Sequence, residues 1–384
     1  MLKVTVHGSA AELDPERWDA LSDDPFSSHA TLAALEGAGL PGVRMWYAVA
    51  ADAAGTWRAA APLARVVVDA GRLTHGLFRS VIGTVRRARP GFLNTALLLC
   101  GAPLAVANPP ARLAAGGDPG AAWRALGGVL REVADAEGAA WRAFKEFAPR
   151  ELAPARAALA PGGWIVAPSE TSWVMDLPWR AYSAYLGGLR SPYRYKIRTA
   201  ERALRAGGVS VDLAPLAGAY DPDLHRLYEA VVDRAAVQLE RLTPEFFRAF
   251  GRAHGDAAQL LRFTRGGRVI GWVALLFHGG VAYDLFHGID YAENEAVALY
   301  FNQLAEVVRA AIGRGAARLS LGQSTGVAKS RFGARPEPRW IALRHKSAAV
   351  TAVLRAAETR LFPEPREPAR RVFAGGAPPC APWW

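Results

Sequence analysis

The stretch that decides the fold is Ala258–Asp290, which reads AQLLRFTRGGRVIGWVALLFHGGVAYDLFHGID. It contains three runs rich in Val, Leu, Phe and Tyr, which are typical of β-strands. The turn sequences Arg-Gly-Gly at 265–267 and His-Gly-Gly at 278–280 separate the runs. Glycine reaches the left-handed backbone conformations that tight hairpins need. The stretch therefore predicts an antiparallel meander of three strands.

The segments on either side of the meander predict helices and one more strand. ENEAVALYFNQLAEVVRAAIGRG (293–315) predicts a long helix, and ARLSLGQ (317–323) predicts a strand after it. Two more helices are predicted upstream, at 221–236 and 243–255. The first half of the chain shows the same order of helices, meander, helix and strand. We therefore predict two similar α/β domains, although no repeat is visible residue by residue.

The predicted boundaries divide the chain into four parts. They are an N-terminal domain at 1–165, a C-terminal domain at 166–345, an amphipathic helix at 346–365 and a loosely ordered Pro/Gly-rich tail at 366–384. Within the first domain, Asp14 and Pro15 predict the N-cap and first residue of a helix. Ser27 or Ser28 is predicted to cap a second helix that ends at Gly37.

The composition is that of a basic globular protein. Of the 384 residues, 51% are hydrophobic and 21% are charged, and the net charge is +11. This charge favours anionic partners such as nucleotide or CoA phosphates, tRNA or an anionic membrane face. The basic residues are scattered along the chain, which disfavours a dedicated nucleic-acid arm.

The cysteines and the apolar segments predict a cellular location. Cys100 and Cys380 are the two cysteines, too few for a disulfide framework, and this favours a reducing compartment. Cys100 lies in an apolar run and is predicted to be a buried core thiol. That run, 95–107, is too short and too interrupted by Gly and Pro to span a bilayer. We expect a soluble cytoplasmic protein, with the inner membrane surface as a further location.

The order of meander, helix and strand resembles the core of the GNAT (acyl-CoA N-acyltransferase) fold. In that fold two central strands splay apart, and the acyl-pantetheine of the donor lies between them. The usual Q/R-x-x-G-x-G/A loop for the CoA pyrophosphate is absent here. DYAENEAVALY at 290–300 occupies its place.

Five short motifs give a narrower resemblance, to the peptidoglycan biosynthesis/recognition family in the Fem-like branch of tandem-GNAT proteins. The motifs are WDALSDDPFSSHATLAALEGAG (18–39), SPYRYKIRTAERALRAGGV (191–209), FHG (286–288), GQSTGVAKSRFGARP (322–336) and RWIALRH (339–345). The resemblance implies an α/β fold of tandem GNAT-like domains with mixed, splayed central sheets. It also implies acylation of an amine, from aminoacyl-tRNA or from an acyl thioester. Bacterial ceramide synthases, which acylate a sphingoid amine, are similar GNAT-like proteins.

The strand VAYDLFHGID (281–290) supplies the candidate catalytic residues. Amine acylation needs a group that takes the amine's proton and an acid for the leaving group. Simple alternation places Tyr283 and His287 on one face and Asp284 on the other. His287 is the candidate base because an imidazole titrates near neutral pH, and Tyr283 is the candidate acid. Asp284 is expected to orient the base or bind the acceptor amine. The alternative for His287 is a purely structural histidine.

The loop at 322–333 predicts an anion or oxyanion site. Its glycines allow tight turns with exposed backbone N–H groups, and Lys329 adds a positive charge beside them. Gln323 ends a strand, where its amide can contact an amide-like product. In the Fem-like pattern this loop closes over the reacting groups.

The helix at 191–206 predicts a phosphate clamp or, alternatively, a solvated and salt-bridged surface. Its candidate contacts are Arg194, Lys196 and Arg198. The complete predicted set for donor and acceptor binding is Arg194, Lys196, Arg198, Gln323, Gly326 and Arg331. No residue spacing typical of a metal site is present, and no bound cofactor is expected.

The sequence thus predicts an N-acyltransferase that moves an acyl group from acyl-CoA or an acyl carrier protein to an amine. A lipid amine such as a sphingoid base, presented at a membrane surface, is one candidate acceptor. One alternative is aminoacyl-tRNA-dependent transfer onto a peptidoglycan precursor or a small amine. Another is a glycan- or lipid-recognition module without catalysis.

Overall fold

The computed structural model describes residues 2–69, 94–235, 240–365 and 370–376. These residues form two compact units. The N-terminal unit comprises residues 2–69, 94–169, 235, 240–242 and 339–364. The C-terminal unit comprises residues 170–234, 243–338, 365 and 370–376.

Each unit contains one sheet and several helices. In chain order the described strands are β1 (Lys3–His7), β2 (Arg44–Ala51), β3 (Trp57–Asp69), β4 (Asn94–Cys100), β5 (Arg112–Leu113), β6 (Trp141–Phe147), β7 (Ile165–Pro168), β8 (Ser172–Asp176), β9 (Val209–Pro215), β10 (Ala258–Arg265), β11 (Arg268–His278), β12 (Val281–Ile289), β13 (Arg318–Ser320), β14 (Arg335–Glu337) and β15 (Trp340–His345). The described α-helices are α1 (Pro15–Asp19), α2 (His29–Gly37), α3 (Pro119–Ala136), α4 (Pro149–Leu159), α5 (Tyr182–Gly188), α6 (Ser191–Ala206), α7 (Leu216–Ala219), α8 (Pro222–Val232), α9 (Pro244–His254), α10 (Tyr291–Val297), α11 (Leu299–Gly313), α12 (Gly326–Lys329), α13 (Ala348–Ala356) and α14 (Glu358–Leu361).

The N-terminal unit is built on a mixed sheet. Its strand order is β1-β2-β3-β4-β6-β15-β7, and β5 pairs with β3. β4 and β6 run parallel, while β6 and β15 run antiparallel. The ring of Trp123 from α3 packs edge-on against Phe144 and Phe147 of β6. Burying these aromatic surfaces stabilises the packing of this helix on the sheet.

Local signals in the N-terminal unit are confirmed by the structure. The Asp14 side chain accepts a hydrogen bond from the backbone N–H of Arg17 at the start of α1. Ser28 caps α2, which ends at Gly37 as predicted. Cys100 is fully buried, and burial raises the pKa of its thiol, which confirms the predicted core position. Cys380 lies outside the described residues.

The C-terminal unit contains the predicted meander. Its strand order is β14-β8-β13-β12-β11-β10-β9, and β10, β11 and β12 pair antiparallel. β12 and β13 run parallel but pair over three residues only, ending at Tyr283 opposite Ser320. β12 continues to Ile289 beyond this point. The two central strands therefore separate at residue 284, as the GNAT resemblance predicts.

Helices cover both faces of this sheet. The Cβ position of Gly271 in β11 points at Leu299 and Gln303 of α11. Its neighbour Trp272 donates from Nε1 to the carbonyl of Leu224 in α8, at 2.8 Å. Since adjacent strand residues point to opposite faces, α11 covers one face and α8 covers the other.

The helix predicted at 293–315 is two helices, α10 and α11. Ala298 separates them with a φ of 49°, in the left-handed region that a helix cannot continue through. Two amide side chains satisfy the backbone around the break. Asn302 Nδ2 donates to the carbonyl of Val297 at 2.8 Å, and Asn294 Oδ1 accepts from the N–H of Tyr300 at 3.0 Å.

The C-terminal parts of the chain differ from the predicted boundaries. β15 pairs with β6 and β7, so residues 340–345 belong to the N-terminal unit rather than to a domain at 166–345. A loosely ordered tail is the wrong description for residues 370–376. Val372 and Phe373 are buried, and Phe373 forms a β-bridge with Leu189. This apolar pair provides the burial that the surrounding Pro/Gly-rich sequence lacks.

None of the described helices combines the length and apolarity needed to cross a membrane.

Candidate active site

A β-bulge in β12 sets the geometry of the candidate site. Asp284 lies opposite Leu275 of β11 and Phe286 lies opposite Ala274, so Leu285 is one residue extra. An extra residue reverses the alternation of side chains along a strand. Asp284 and His287 therefore share the face that α11 covers.

The bulge corrects the predicted distribution of side chains. Simple alternation predicts Tyr283 beside His287, with Asp284 on the opposite face. The structure instead places Tyr283 on the face of Phe286, which is the face that α8 covers. Tyr283 is thus separated from His287 by the sheet and is not positioned as an acid for the same reaction centre.

Asp284 and His287 form a buried acid–imidazole pair. His287 Nε2 lies 2.9 Å from Asp284 Oδ1, with side-chain exposures of 15% for the imidazole and 1% for the carboxylate. Apart from this ion-pair contact, neither carboxylate oxygen accepts a hydrogen bond from the described residues. A buried carboxylate is costly without partners, so Asp284 is suited to bind a cationic or N–H-bearing group.

Gln303 of α11 fixes the tautomer of His287. Its Nε2 donates to two carbonyl groups, those of Gly288 at 2.9 Å and Trp272 at 3.2 Å. Carbonyls only accept, so Gln303 Oε1 must be the atom 3.0 Å from His287 Nδ1, and that nitrogen must carry a hydrogen. A bare Nε2 lone pair facing a carboxylate would be repulsive. The contact between Nε2 and Oδ1 is therefore favourable only when a proton lies on one of these two atoms.

Lys329 adds a buried positive charge near this pair. Its side chain donates to the backbone carbonyl of Gln323. Burial lowers the pKa of Lys329 to about 8, and the nearby carboxylates of Asp284 and Glu170 limit the decrease. The Gln323 side chain donates to the carbonyl of Glu170 at 2.8 Å. Lys329 and Gln323 thus lie close together, as expected for residues of one site. The lysine contacts the backbone of its own loop.

The backbone of the loop before Lys329 is strained. Ser324 and Thr325 have φ values of 59° and 47°, a region that β-branched residues such as threonine rarely adopt. Such residues cost about 1–3 kcal/mol each and cluster at functional sites. Thr325 Oγ1 lies 2.6 Å from the hydroxyl of Tyr300, whose ring is 5.6 Å from the His287 ring. Burial raises the pKa of Tyr300, which keeps its phenol protonated.

Gly326 is required by a close approach of Trp173. A Cβ atom at position 326 would lie 2.1 Å from Cζ2 of that buried indole. We expect Gly326→Ala to lower the free energy of unfolding by about 1–3 kcal/mol, because the loop must move away from Trp173. Gly313→Ala is the matched control, since no atom lies within 4 Å of its Cβ position at the end of α11. The control should raise the free energy of unfolding by about 0.5–1 kcal/mol. Equal denaturant midpoints for the two variants would contradict the close approach.

A basic cavity of about 270 Å³ lies elsewhere in the same unit. It is lined by Arg190, Pro192, Tyr193, Lys196, Arg331 and Arg370. The structure thus brings together Lys196 and Arg331 from the predicted binding set. Arg194 instead donates to the carbonyls of Gly187 and Leu189 at the end of α5. Arg198 is exposed on α6 and does not line the cavity.

The residues that sequence reasoning missed are Tyr300, Gln303, Arg190 and Arg370. Tyr300 and Gln303 lie three positions apart on α11, hence on one face of a mostly buried helix. Polar residues at this spacing on an otherwise apolar helix are the sequence feature that could have identified both as site residues. Arg370 lies in a Pro/Gly-rich segment, where no sequence feature indicates a functional role. Within the described residues, no group of three or more His, Cys, Asp or Glu side chains could hold a metal ion.

Comparison with known proteins places this geometry in a known fold. Residues 191–330 match the acetyltransferase (GNAT) domain family. FemX is similar in structure, with 12% identity, a TM-score of 0.54 and coverage of 92% of this chain and 99% of that one. A tandem GNAT protein from the clavulanic acid biosynthesis pathway has 14% identity, a TM-score of 0.52 and coverages of 90% and 99%.

A third structure has the same fold, the C-terminal domain of a putative lysylphosphatidylglycerol synthetase from Agrobacterium fabrum. Its identity is 12% and its TM-score 0.50, with coverages of 94% of this chain and 99% of that one. A comparison with curated proteins gave no match.

The match of residues 191–330 to the acetyltransferase (GNAT) domain family supports an N-acyltransferase. Residues 191–330 match the GNAT domain family, and the two mixed α/β units have a fold similar to that of FemX and of a tandem GNAT protein. The predicted fold class is thereby confirmed.

Proposed function

We propose that the chain transfers an acyl group from a thioester, acyl-CoA or acyl carrier protein, to an amine. The observation that carries the proposal is the buried Asp284–His287 pair, placed where β12 separates from β13. A substrate that enters where the strands separate would meet the buried Asp284 carboxylate, which accepts no hydrogen bond from the described residues. An amine acceptor supplies the missing N–H donors.

The pair can bind the amine and then take its proton. An acceptor that enters as an ammonium becomes the counter-charge of the Asp284 carboxylate. His287 Nε2 is then free to accept a proton, while Gln303 keeps the ring oriented through Nδ1. The neutral amine nitrogen attacks the thioester carbonyl carbon, and a C–N bond forms.

The remaining groups suit the later steps of the reaction. The tetrahedral intermediate carries a negative oxygen, which the ammonium of Lys329 can stabilise. Collapse of the intermediate breaks the C–S bond and releases a thiolate, which must take one proton. Tyr300 is the proposed donor, because burial keeps its phenol protonated beside His287. The ammonium gives one proton to His287 before attack, and His287 passes it to solvent. After attack the nitrogen loses a second proton, which replaces the one that Tyr300 donates to the thiolate. The products are therefore the amide, the thiol and one proton released to solvent.

A lipid amine, such as a sphingoid base, is the finer proposal for the acceptor. Exposed apolar side chains on α13 and α14, with Val353 69% and Leu361 50% exposed, support presentation at an anionic membrane surface. The net charge of +11 supports the same location, peripheral at the inner membrane. The substrate would then reach the enzyme from the lipid phase.

Aminoacyl-tRNA-dependent transfer onto a peptidoglycan precursor or small amine is the second candidate. The exposed face of α6, which presents Arg198, Arg202 and Arg205, favours it. Such a row of cations binds phosphodiester backbones, and the affinity then falls steeply with salt.

Thiol release from acyl-CoAs of short to long chain length, with and without sphingoid bases and small amines, tests the proposal. We expect release that depends on the acceptor and shows a chain-length optimum. Release that is equal without an acceptor indicates hydrolysis and contradicts amine transfer. No release from acyl-CoA or acyl carrier protein, together with salt-sensitive tRNA binding, would favour the second candidate. Binding of lipid or glycan without any turnover would favour a recognition module.

A further inference from the structure

The basic cavity combines four cations from three separate segments of the C-terminal unit. Arg190 and Lys196 come from the start of α6, Arg331 from the turn after α12, and Arg370 from the segment at 370–376. The remaining lining residues are Pro192 and Tyr193, so no carboxylate of the described residues lines the cavity. Segments that are distant in sequence thus place their positive charges around one cavity.

The protein holds two of these cations in place without neutralising them. Arg190 donates from one guanidinium nitrogen to the backbone carbonyl of Arg371, at 3.3 Å. Arg370 Nε donates to the hydroxyl of Ser330, at 3.0 Å. Among the described residues, none of the four cations forms an ion pair. Four like charges around one cavity repel each other, and a bound anion removes that repulsion.

The size and the donor geometry indicate which anion fits. A volume of about 270 Å³ is below the usual range for a site that encloses a whole drug-sized ligand. The cavity therefore suits one charged group of a larger molecule. Arginine forks match the oxygens of a phosphate and bind it through paired hydrogen bonds.

One short run of chain connects the lining of the cavity with the candidate active-site loop. Lys329 contacts Gln323 in the active-site loop, Ser330 holds Arg370, and Arg331 lines the cavity. Residues 329 and 331 are two peptide units apart, so their Cα atoms are at most about 7.6 Å from each other. The proposal requires one elongated substrate to reach both places.

We propose that this cavity binds a phosphate or diphosphate group of the acyl donor, the nucleotide end of an acyl-CoA. The inference rests on the proposed thioester chemistry. It also accounts for the missing pyrophosphate loop, because residues 290–300 lack the glycines that such a loop needs. The four cations supply the phosphate contacts from a different part of the fold.

Binding of CoA, inorganic pyrophosphate and pantetheine to the full chain, measured by calorimetry without an acyl acceptor, tests the site. We expect Arg331→Met and Arg370→Met each to weaken CoA and pyrophosphate binding by about tenfold or more, since each removes charged hydrogen bonds. Pantetheine has no phosphate, and its binding should be the same in all variants. Because the two arginines lie in separate segments, a folding defect in one variant leaves the other informative.

Arg180→Met is the matched control, because Arg180 is exposed before α5 and does not line the cavity. An equal loss of CoA affinity in Arg331→Met, Arg370→Met and Arg180→Met would mean that only the overall charge of the protein matters. That result would overturn the site. Unchanged CoA affinity and normal acyl-CoA turnover in Arg331→Met would also overturn it, while leaving the proposed function intact. Cavity-dependent CoA binding without turnover on any amine supports the site and counts against the proposed function. Binding of anionic lipid vesicles in place of CoA would overturn the assignment to the donor.

Discussion

Replacing His287 with glutamine lowers kcat/KM for acceptor-dependent thiol release by about 10²- to 10⁴-fold, the usual contribution of a positioned general base. Glutamine keeps a polar side chain of similar reach but cannot take the amine's proton. Asp284→Asn is expected to act differently, since it removes the charge that binds the acceptor. It should raise the KM for the amine as well as lower kcat.

His278→Gln is the control for the histidine variant. His278 is the last residue of β11 and takes no part in the Asp284–His287 pair. It should keep the rate of the unmodified protein. If the His287→Gln protein is folded and fully active, His287 is not the general base. The function would then depend on a water molecule or on the substrate itself.

Replacing Lys329 with methionine lowers kcat/KM by about 10²- to 10³-fold, as expected when a donor to a developing oxyanion is lost. The same change should alter the pH profile. Because the pKa of Lys329 is lowered to about 8 by burial, its charge is present below pH 8 and is lost above it. The unmodified enzyme should therefore lose kcat/KM as the pH rises through about 8. The variant should lack this decline.

The stability of the protein should respond to pH through the same lysine. The pKa of Lys329 is 10.5 when unperturbed and about 8 in the fold, so between these values the unfolded chain binds more protons. Stability therefore rises with pH across that window. Thermal unfolding of Lys329→Met should show a smaller rise than that of Lys346→Met, which removes an exposed lysine. Identical slopes would show that Lys329 keeps an ordinary pKa.

The elements that the sequence predicts correctly depend on local signals. The meander at 258–289 follows from apolar runs and Gly-Gly turns, and the caps of α1 and α2 follow from short polar motifs. The bulge at Leu285 has no such signal, because a register is set by the partner strand. For that reason the sequence yields Asp284 and His287 as candidates but places them on opposite faces.

Two other differences also arise from contacts between distant residues. Ala298 is a good helix former by propensity, yet it breaks the helix because Asn294 and Asn302 satisfy the exposed backbone there. Arg370 reaches the basic cavity because Val372 and Phe373 are buried beyond it. Neither contact is visible in a local window of sequence.

The burial of Phe373 has a consequence for how the chain folds during translation. Its ring occupies the space beside Gly333, where a Cβ atom would lie only 2.4 Å from it, and it bridges to Leu189. A nascent chain that has emerged only through residue 338 contains every described strand of the C-terminal sheet. It nevertheless lacks this ring, and with it Arg370. Because domains fold as their residues leave the ribosome, the core of this unit closes only after the segment at 370–376 has been synthesised. A truncated product would then expose the apolar surface around Leu189 and Gly333, where cellular proteases and chaperones can recognise an incomplete enzyme.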